Sequence, residues 1–192
     1  MFAKLIRALS WALLFAAGCA RADVPQLPFD QAAQRLKEGG YALLLRHAQT
    51  VPGTGDPAGF RLDDCSTQRN LSDAGREQAV RTGAAFRAAG LVFGKVLASQ
   101  WCRCLDTAQL AFDSVEPWPA LNSFRDKNAD APAHTAQVRL LARNIRPPTN
   151  LMLVTHQVNI TELTGLVPAM GEIVAVRWGG DRLVPMFRFS VE

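Results

Sequence analysis

Residues 43–50 read Leu-Leu-Leu-Arg-His-Ala-Gln-Thr, an apolar run that ends in a guanidinium and an imidazole. A continuous apolar run is typical of a strand that is buried on both faces of a sheet. In open α/β sheets, ligands bind just beyond the carboxyl ends of such strands. The stretch therefore predicts a buried strand that delivers Arg46 and His47 to a binding or catalytic site. A strand that merely ends at the surface is the alternative.

The same pattern occurs again near the end of the chain. Residues 150–156 read Asn-Leu-Met-Leu-Val-Thr-His, so another apolar run ends in a histidine. If the two predicted strands are parallel neighbours, His47 and His156 leave the sheet at the same edge. This second histidine favours a site over a simple strand end.

A third predicted strand, over 95–99, leads into a predicted helix over 101–112 that carries Arg103 in its first turn. Helix N-termini attract anions through their free N–H groups and the helix dipole. The planar fork of arginine can bind two phosphoryl oxygens at once. Arg46, Arg103 and the two histidines therefore predict a phosphate-binding pocket at this edge of the sheet.

Helical and strand patterns alternate along the chain, with Asp30 and Ser72 as the predicted N-caps of the first two helices. The alternation predicts a three-layer α/β/α sandwich with a mostly parallel sheet, and residues 23–192 suit a single domain. The last two strands read as a hairpin at the sheet edge. Helices are predicted over 31–38, 72–89, 101–112, 135–145 and 157–164, and strands over 41–46, 95–99, 114–118, 150–156, 172–178 and 183–190.

Two segments lack a periodic pattern. Residues 51–70 are rich in Gly, Pro, Asp, Thr and Ser, and residues 122–133 are polar and irregular. A loop as long as 51–70 within a compact domain is usually functional or mobile. Because it follows His47 closely, we expect it to form one wall of the site, and we expect substrate specificity to come from both segments.

The first 22 residues differ from the rest of the chain. Lys4 and Arg7 give a basic start, residues 8–17 are apolar, and Ala20-Arg21-Ala22 matches a cleavage signal. This pattern predicts a signal peptide over residues 1–22 that is cleaved after Ala22, and hence a periplasmic or secreted protein. The apolar run is too short for a membrane span. Lipidation of Cys19 is a less favoured alternative, because no large aliphatic residue lies three positions before it.

Removal of the predicted leader changes the charge of the protein. The whole chain carries a formal net charge of +4, and the leader takes away three basic residues and no acidic one, which leaves +1. No long basic run with interleaved aromatic residues remains. A nearly neutral chain of this kind disfavours nucleic-acid binding.

Three cysteines remain after the predicted cleavage: Cys65, Cys102 and Cys104. An oxidising compartment permits disulfides, and one bridge would leave one thiol over. Cys102 and Cys104 are too close in sequence to bridge without strain. The open alternatives are a Cys65–Cys102 bridge, a Cys65–Cys104 bridge, or three unpaired cysteines.

A metal centre is the competing use of two histidines. A divalent cation would be repelled by Arg46 and Arg103, and no carboxylate lies at ligand spacing from either histidine. The cysteines form no Cys-x-x-Cys pair. We therefore predict a site without a metal or other cofactor.

Four motifs resemble, in order, those of the histidine phosphatase (phosphoglycerate mutase-like) superfamily, branch 1. Residues 45–50 are similar to its Arg-His-Gly signature, with Ala48 in place of the usual glycine. Residues 71–79, Leu-Ser-Asp-Ala-Gly-Arg-Glu-Gln-Ala, resemble its L-[ST]-x-x-G-x-x-Q-A helix start. Residues 99–108 resemble its Ser-x-x-x-Arg-Cys-x-x-Thr-Ala motif, and residues 154–156 its second histidine motif. The resemblance spans residues 41–178 and implies a phosphoglycerate mutase-like fold.

The resemblance also implies a mechanism. His47 would attack phosphorus and form a phosphohistidine that water hydrolyses, which requires a neutral ring with a fixed tautomer. Arg46, Arg103 and His156 would hold the phosphoryl oxygens, His156 acting best as a cation.

The proton donor for the leaving group departs from the family pattern. Residues 121–123 read Leu-Asn-Ser, so Ser123 stands where many relatives have a glutamate. We predict Asp126 as the substitute, ahead of Asp130, Asp64 and Glu162. The remaining histidine, His134, is expected to be structural or at the surface, and Ser72 to act as a helix cap.

The sequence thus predicts an exported, metal-independent histidine acid-type phosphatase that hydrolyses phosphomonoesters. Its expected partner is a small phosphorylated substrate or an envelope sugar phosphate. Two alternatives remain open: a phosphate-binding module with little turnover, motivated by the missing glutamate, and a protein phosphohistidine phosphatase, whose nitrogen leaving group depends less on a strong acid.

Overall fold

A computed structural model describes residues 23–125 and 128–191. The predicted signal peptide, residues 1–22, and Asp126 lie outside the described residues. The described chain begins with an extended segment whose Gln26 lies beside Arg188 of the last strand.

Strands and helices alternate through most of the described chain, as the sequence predicts. In chain order the elements are α1 (Phe29–Leu36), β1 (Ala42–Arg46), α2 (Asp73–Ala88), β2 (Lys95–Ala98), α3 (Cys102–Phe112), β3 (Glu116–Pro117), α4 (Ala131–Arg143), β4 (Leu151–Thr155), α5 (Gln157–Thr164), β5 (Ile173–Trp178) and β6 (Leu183–Phe189). Short 3-10 turns lie at Cys65–Thr67, Pro119–Leu121 and Asn128–Asp130.

Within the described residues, six strands form one sheet in the order β3-β2-β4-β1-β5-β6. The four strands from β3 to β1 are parallel, whereas β5 runs antiparallel to β1 and pairs with β6 as the predicted hairpin. The predicted α/β sandwich with a mostly parallel sheet is confirmed. Because β1 and β4 are paired up to Arg46 and Thr155, the next residues, His47 and His156, leave the sheet side by side.

The leucines of β1 divide between the two faces of the sheet, since successive strand side chains point to opposite sides. Leu43 and Leu45 pack in the cluster that contains residues of α1, α2 and α3, while Leu44 packs in the cluster that contains residues of α4 and α5. All three are essentially inaccessible to solvent. This explains the unbroken apolar run: both faces of β1 are covered.

Two glycines allow helix α2 to approach its neighbours closely. A Cβ built on Gly75 would lie 1.8 Å from the carbonyl oxygen of Gln49, and one on Gly83 would lie 1.9 Å from that of Ala111 in α3. The two glycines therefore permit close packing of α2 against the backbone of Gln49 and against α3. Ser72 caps the helix as predicted, accepting a hydrogen bond from the Gly75 amide at 3.1 Å.

Three elements, α1, β3 and α4, differ from the sequence prediction by two residues or more at an end. Asp30 is not an N-cap, because α1 begins at Phe29, two residues before the predicted start, and Asp30 lies in its first turn, where its negative charge interacts favourably with the helix dipole. Strand β3 is only Glu116–Pro117. Helix α4 begins at Ala131, four residues early, because Pro132 is tolerated in a first turn. None of the helices in the described ranges is long and apolar enough to cross a bilayer.

Candidate active site

A cavity of about 600 Å³ opens at the carboxyl ends of β1 and β4. His47 and His156 lie at its base, with their ring centroids 5.6 Å apart. The two predicted arginines, Arg46 and Arg103, line the same cavity. The other lining residues are Gly55, Asp56, Phe60, Leu62, Arg69, Trp101, Asn122, Ser123, Arg125, Asp130, His134, Gln157 and Val158.

The ring of His47 is fixed by the residue that follows it. Its Nδ1 lies 2.9 Å from the carbonyl oxygen of Ala48, and because a carbonyl only accepts, Nδ1 carries the proton. Nε2 is then the nitrogen with the free lone pair. Burial, together with the positive charges of Arg103 and Arg46, lowers the pKa of His47 to about 3, and the hydrogen bond to Ala48 only partly opposes this shift. His47 is therefore a neutral imidazole over the physiological range.

Ala48, which stands where the resembled signature has glycine, takes part in this geometry through its backbone. Its amide donates to Thr107 Oγ1 at 3.0 Å, which holds the peptide whose oxygen binds His47. The added methyl group is 1 % exposed and packs beside Leu71 and Ala79. The substitution thus fills a small apolar space behind the site.

Both ring nitrogens of His156 have partners. Nε2 lies 2.8 Å from Ser99 Oγ, and Nδ1 lies 3.4 Å from Nη2 of Arg103. A guanidinium only donates, so Nδ1 accepts and Nε2 donates to Ser99, which donates to Asn122 Oδ1 at 3.2 Å. This chain of donors holds the ring in one tautomer.

Burial lowers the pKa of His156 well below its usual value, and the positive charges of Arg103 and Arg46 act in the same direction. In the site without an anion His156 is therefore neutral, and its predicted role as a cation concerns the site with a phosphoryl group bound. A bound dianion would offset the arginine charges and favour the protonated ring.

Arg103 is 4 % exposed and Arg46 is partly buried, and each keeps a buried Nε–H that has no hydrogen-bond partner among the described residues. Nη1 of Arg46 donates to the carbonyl oxygen of Pro168 at 2.8 Å. Nη1 of Arg103 donates to Asp56 Oδ1 at 2.7 Å. Guanidinium groups with unpaired N–H donors beside two neutral histidines suit a phosphoryl dianion.

Asp56, in the 51–70 segment, is a site residue that sequence reasoning missed. Its side chain is 8 % exposed and accepts from Arg103, from Trp101 Nε1 at 3.0 Å and from the Arg69 amide at 2.9 Å. Burial alone would raise the pKa of Asp56, but the hydrogen bonds from Arg103 and Arg69 outweigh it and the pKa lies below the usual value. The only sequence signal was its position in the loop after His47.

Arg69, also missed, lies beside Asp56 and lines the cavity. Its Nε donates to the carbonyl oxygen of Gly55 at 2.9 Å, and its Nη1 donates to Thr50 Oγ1. Burial lowers the pKa of Arg69, and Arg103 lowers it further. Arg69 thus adds a guanidinium group from the 51–70 segment to those of Arg46, Arg103 and Arg125.

The cysteines adopt one of the predicted pairings. Cys65 and Cys102 form a disulfide with a Cα–Cα distance of 5.7 Å. Cys104 is a buried free thiol whose Sγ lies 3.6 Å from His156 Nε2. Burial raises the pKa of Cys104 to about 12, so the thiol stays protonated.

The candidate proton donors differ in whether they line the cavity. Asp130 and Ser123 line the cavity. Asp64 instead caps the turn at Cys65–Thr67 and pairs with Arg61, and Glu162 is exposed on α5; neither lines the cavity. Asp126 lies outside the described residues and remains a prediction.

His134, which was expected to be structural or at the surface, is partly buried and lines the cavity together with Asp130. It lies in the first turns of α4, which begins at Ala131. Among residues 23–125 and 128–191, no group of three His, Cys, Asp or Glu side chains could hold a metal ion.

The fold and the site together define a class: an α/β sandwich with two histidines and several arginines converging at the carboxyl edge of its sheet. A sequence model of the histidine phosphatase superfamily (branch 1) matches residues 42–130. A comparison with curated proteins gives no match.

Solved structures share this fold. The protein histidine phosphatase SixA complexed with tungstate is 16% identical, with a TM-score of 0.55 over 78% of this chain and 96% of that chain. The open reading frame Rv3214 from Mycobacterium tuberculosis is 20% identical, with a TM-score of 0.54 over 74% and 93%. A mycobacterial glucosyl-3-phosphoglycerate phosphatase, Rv2419c, is 18% identical, with a TM-score of 0.50 over 71% and 89%.

Proposed function

We propose that this chain belongs to the histidine phosphatase superfamily and is an exported, metal-independent phosphomonoesterase that works through a phosphohistidine on His47. The observation that carries the proposal is the fixed tautomer of His47, which leaves Nε2 unprotonated in a cavity lined by arginines. The family model over residues 42–130, which includes His47 and Arg103, supports it.

In the first step, the Nε2 lone pair of His47 attacks phosphorus and forms a P–N bond. The P–O bond to the ester oxygen breaks, and its electron pair stays on that oxygen, which takes up a proton. Arg46 and Arg103 stabilise the equatorial oxygens as charge shifts. The Ala48 carbonyl stabilises the developing positive charge on the ring through Nδ1–H.

In the second step, water attacks the phosphohistidine. A P–O bond forms, the P–N bond breaks, and its electron pair returns to Nε2, which restores the neutral ring. The water loses a proton to the group that had served as the acid. His156, protonated by proton uptake when the dianion binds, donates from Nδ1 to a phosphoryl oxygen in both steps.

The proton donor is the open part of the mechanism, and three carboxylates compete for it. Asp56 and Asp130 line the cavity, and Asp126 is the sequence prediction. Asp56 is ionised while Arg103 holds it, and a phosphoryl group that takes over Arg103 would raise the pKa of Asp56 and favour its acid form.

Leaving-group dependence distinguishes these acids. Replacing the true donor by asparagine should slow alkyl phosphates by about 10²-fold or more and aryl phosphates much less, since aryl oxides leave without protonation. Asp56→Asn, Asp126→Asn and Asp130→Asn are compared by kcat for one alkyl and one aryl phosphate. A variant that slows both esters equally has not lost the acid.

The substrate we propose is a small phosphorylated molecule, with an envelope sugar phosphate as one form of it. The cavity mouth combines an aromatic and aliphatic side, Phe60 and Leu62, with polar groups on Arg125, Asp130 and His134. A sugar ring presents an apolar face and hydroxyl groups, which fits this mixture. Export is supported by the Cys65–Cys102 disulfide, because disulfides persist in oxidising compartments.

A second candidate function is protein phosphohistidine phosphatase activity. Ser123 lines the cavity where a glutamate acid is expected, and a phosphohistidine substrate has a nitrogen leaving group that needs a strong acid less. One structure that shares the fold is named as a protein histidine phosphatase. A phosphate-binding module with little turnover is the third possibility.

Hydrolysis of a generic aryl phosphate by the full mature chain, with a chelator present, tests the proposal. Turnover that resists the chelator supports a metal-independent phosphatase. Binding of phosphate or vanadate without turnover would leave the binding module. Turnover of a phosphohistidine peptide with no activity on alkyl phosphates would favour the second candidate.

A further inference from the structure

The segment 51–70, here called the cavity wall, supplies part of the lining of the candidate site. Asp56, Phe60, Leu62 and Arg69 all face the cavity from it. Apart from the turn at Cys65–Thr67, the wall contains no regular helix or strand. A loop of this length has many conformations open to it unless specific contacts remove them.

The two ends of the cavity wall are hydrogen-bonded to each other. Thr50 pairs with Leu71 in an isolated bridge, and the Val51 amide donates to the carbonyl oxygen of Asn70 at 3.1 Å. These contacts hold the two ends together but do not position the residues between them.

The middle of the wall is joined to the first turn of α3. Cys65 is bonded covalently to Cys102, and the Cys102 amide donates to Gln68 Oε1 at 3.0 Å. The same Gln68 side chain donates through Nε2 to the carbonyl oxygens of Arg61 and Leu62, which folds the wall around it.

The residues on either side of Cys102 take the remaining contacts. Trp101 donates to Asp56 Oδ2, and its ring lies 5.6 Å from that of Phe60. Arg103 donates to Asp56 Oδ1 at 2.7 Å. The cavity wall therefore contacts three consecutive residues, Trp101, Cys102 and Arg103, and Arg103 belongs to the proposed phosphate site.

We propose that the Cys65–Cys102 disulfide is a positioning element for this site, so that the affinity of the cavity for a phosphoryl group depends on the oxidised bridge. Opening the bridge releases the wall from α3, and with it Asp56 and Arg69, which orient and supplement Arg103. His47 is held from the other side, by Ala48 and Thr107, and stays in place. This inference rests on the proposed function only in taking the cavity as a phosphoryl site.

The bridge can be opened from solvent. Cys65 is exposed, whereas Cys102 is 3 % exposed, so a reductant reaches the Cys65 sulfur. Dithiothreitol would transfer two electrons and two protons, giving the thiols of Cys65 and Cys102 and the cyclic disulfide of the reductant. The buried thiol of Cys104 takes no part.

Binding and turnover of the oxidised chain are compared with those of the reduced chain and of the Cys65→Ser/Cys102→Ser variant. Calorimetry with inorganic phosphate gives Kd, and an aryl phosphate gives kcat and KM. We expect Kd and KM to rise about tenfold, because the phosphate partners are misplaced. We expect kcat to fall by a smaller factor, because His47 keeps its position and only the orientation of Arg103 is disturbed. A role limited to stability would leave both constants unchanged in folded protein.

Two further variants complete the design. Ser66→Ala, next to Cys65 and exposed, keeps the bridge and should leave Kd unchanged. Gln68→Ala also keeps the bridge but removes the hydrogen bond to Cys102, and it should weaken phosphate binding to a smaller degree. If the double serine variant does not fold, the reduced wild-type chain, which keeps both cysteine side chains, carries the test.

Phosphate affinity that is equal in the oxidised and reduced chains, both folded by circular dichroism, would overturn the proposal. A chain that hydrolyses no ester but loses phosphate affinity on reduction would refute the proposed hydrolysis and leave this inference standing.

Discussion

The two histidines of the site end two strands of similar sequence, yet their surroundings are opposite. His47 follows β1 and engages only Nδ1, through the carbonyl oxygen of Ala48. His156 follows β4 and engages both nitrogens, through Ser99 and Arg103. One ring therefore keeps a free lone pair and the other does not.

This difference assigns the roles. A nucleophile needs an unprotonated nitrogen that no neighbour occupies, and His47 provides it. A residue that binds a phosphoryl oxygen has to be held in one orientation. The hydrogen bonds from His156 to Ser99 and from Ser99 to Asn122 hold the His156 ring in this way. The tautomer and the role of each ring are therefore determined by the groups that contact it.

The largest effect should come from the nucleophile. His47→Gln removes the attacking nitrogen, so kcat for an aryl phosphate should fall by at least about 10⁴-fold. Phosphate binding, measured by calorimetry, should change little because the arginines remain. Substantial residual turnover would show that His47 is not the nucleophile and would erase the distinction between the two rings.

The second ring should matter less. His156→Gln removes one donor to the phosphoryl oxygens, and kcat/KM should fall by about 10² to 10³-fold. A labelled phosphoenzyme should still form, because His47 is intact. Radioactive phosphate retained on the protein after denaturation without acid would show that the phosphoenzyme forms in His156→Gln. A fall in kcat/KM as large as that of His47→Gln would contradict the smaller role of His156.

The smallest effect concerns stability against pH. The pKa of His47 is about 3 in the folded chain and near 6.5 when unfolded, so the unfolded state binds more protons between these values. The free energy of unfolding should thus fall as pH drops below about 6.5, by up to about 1.4 kcal/mol per pH unit from this residue. His156 acts in the same direction.

Urea unfolding of wild type and His47→Gln at several pH values measures this contribution. The wild type should lose more stability than the variant between about pH 6.5 and about pH 5. Parallel curves would mean that His47 has an ordinary pKa and is not the buried neutral ring described above.

Much of the fold was predictable because it depends on local patterns. The apolar runs at 43–45 and 151–154 predicted the two central strands, and Ser and Gly residues at the ends of α2 indicated its position. The sequence suggested the pairing of β1 with β4 only as a condition for a shared site, and the structure has this parallel pair. The boundaries that failed, at α1 and α4, depended on a single capping or proline residue, where sequence preferences are weak.

The site was predictable where its residues end regular elements. Arg46, His47, Arg103 and His156 follow strands or begin a helix, so their place was set by the fold. Asp56 and Arg69 come from the cavity wall, which has no periodic pattern from which their positions could be predicted.

The sequence by itself thus determined the α/β architecture and the four residues at the sheet edge, since apolar periodicity and strand ends are encoded locally. Only the tertiary structure decided how the two histidines differ, since that depends on Ala48, Ser99 and Arg103 meeting their rings in space. It also decided which cysteine pairs with Cys65, and that Asp56 lies against Arg103. Such contacts join residues far apart in the chain, and burial then fixes their protonation.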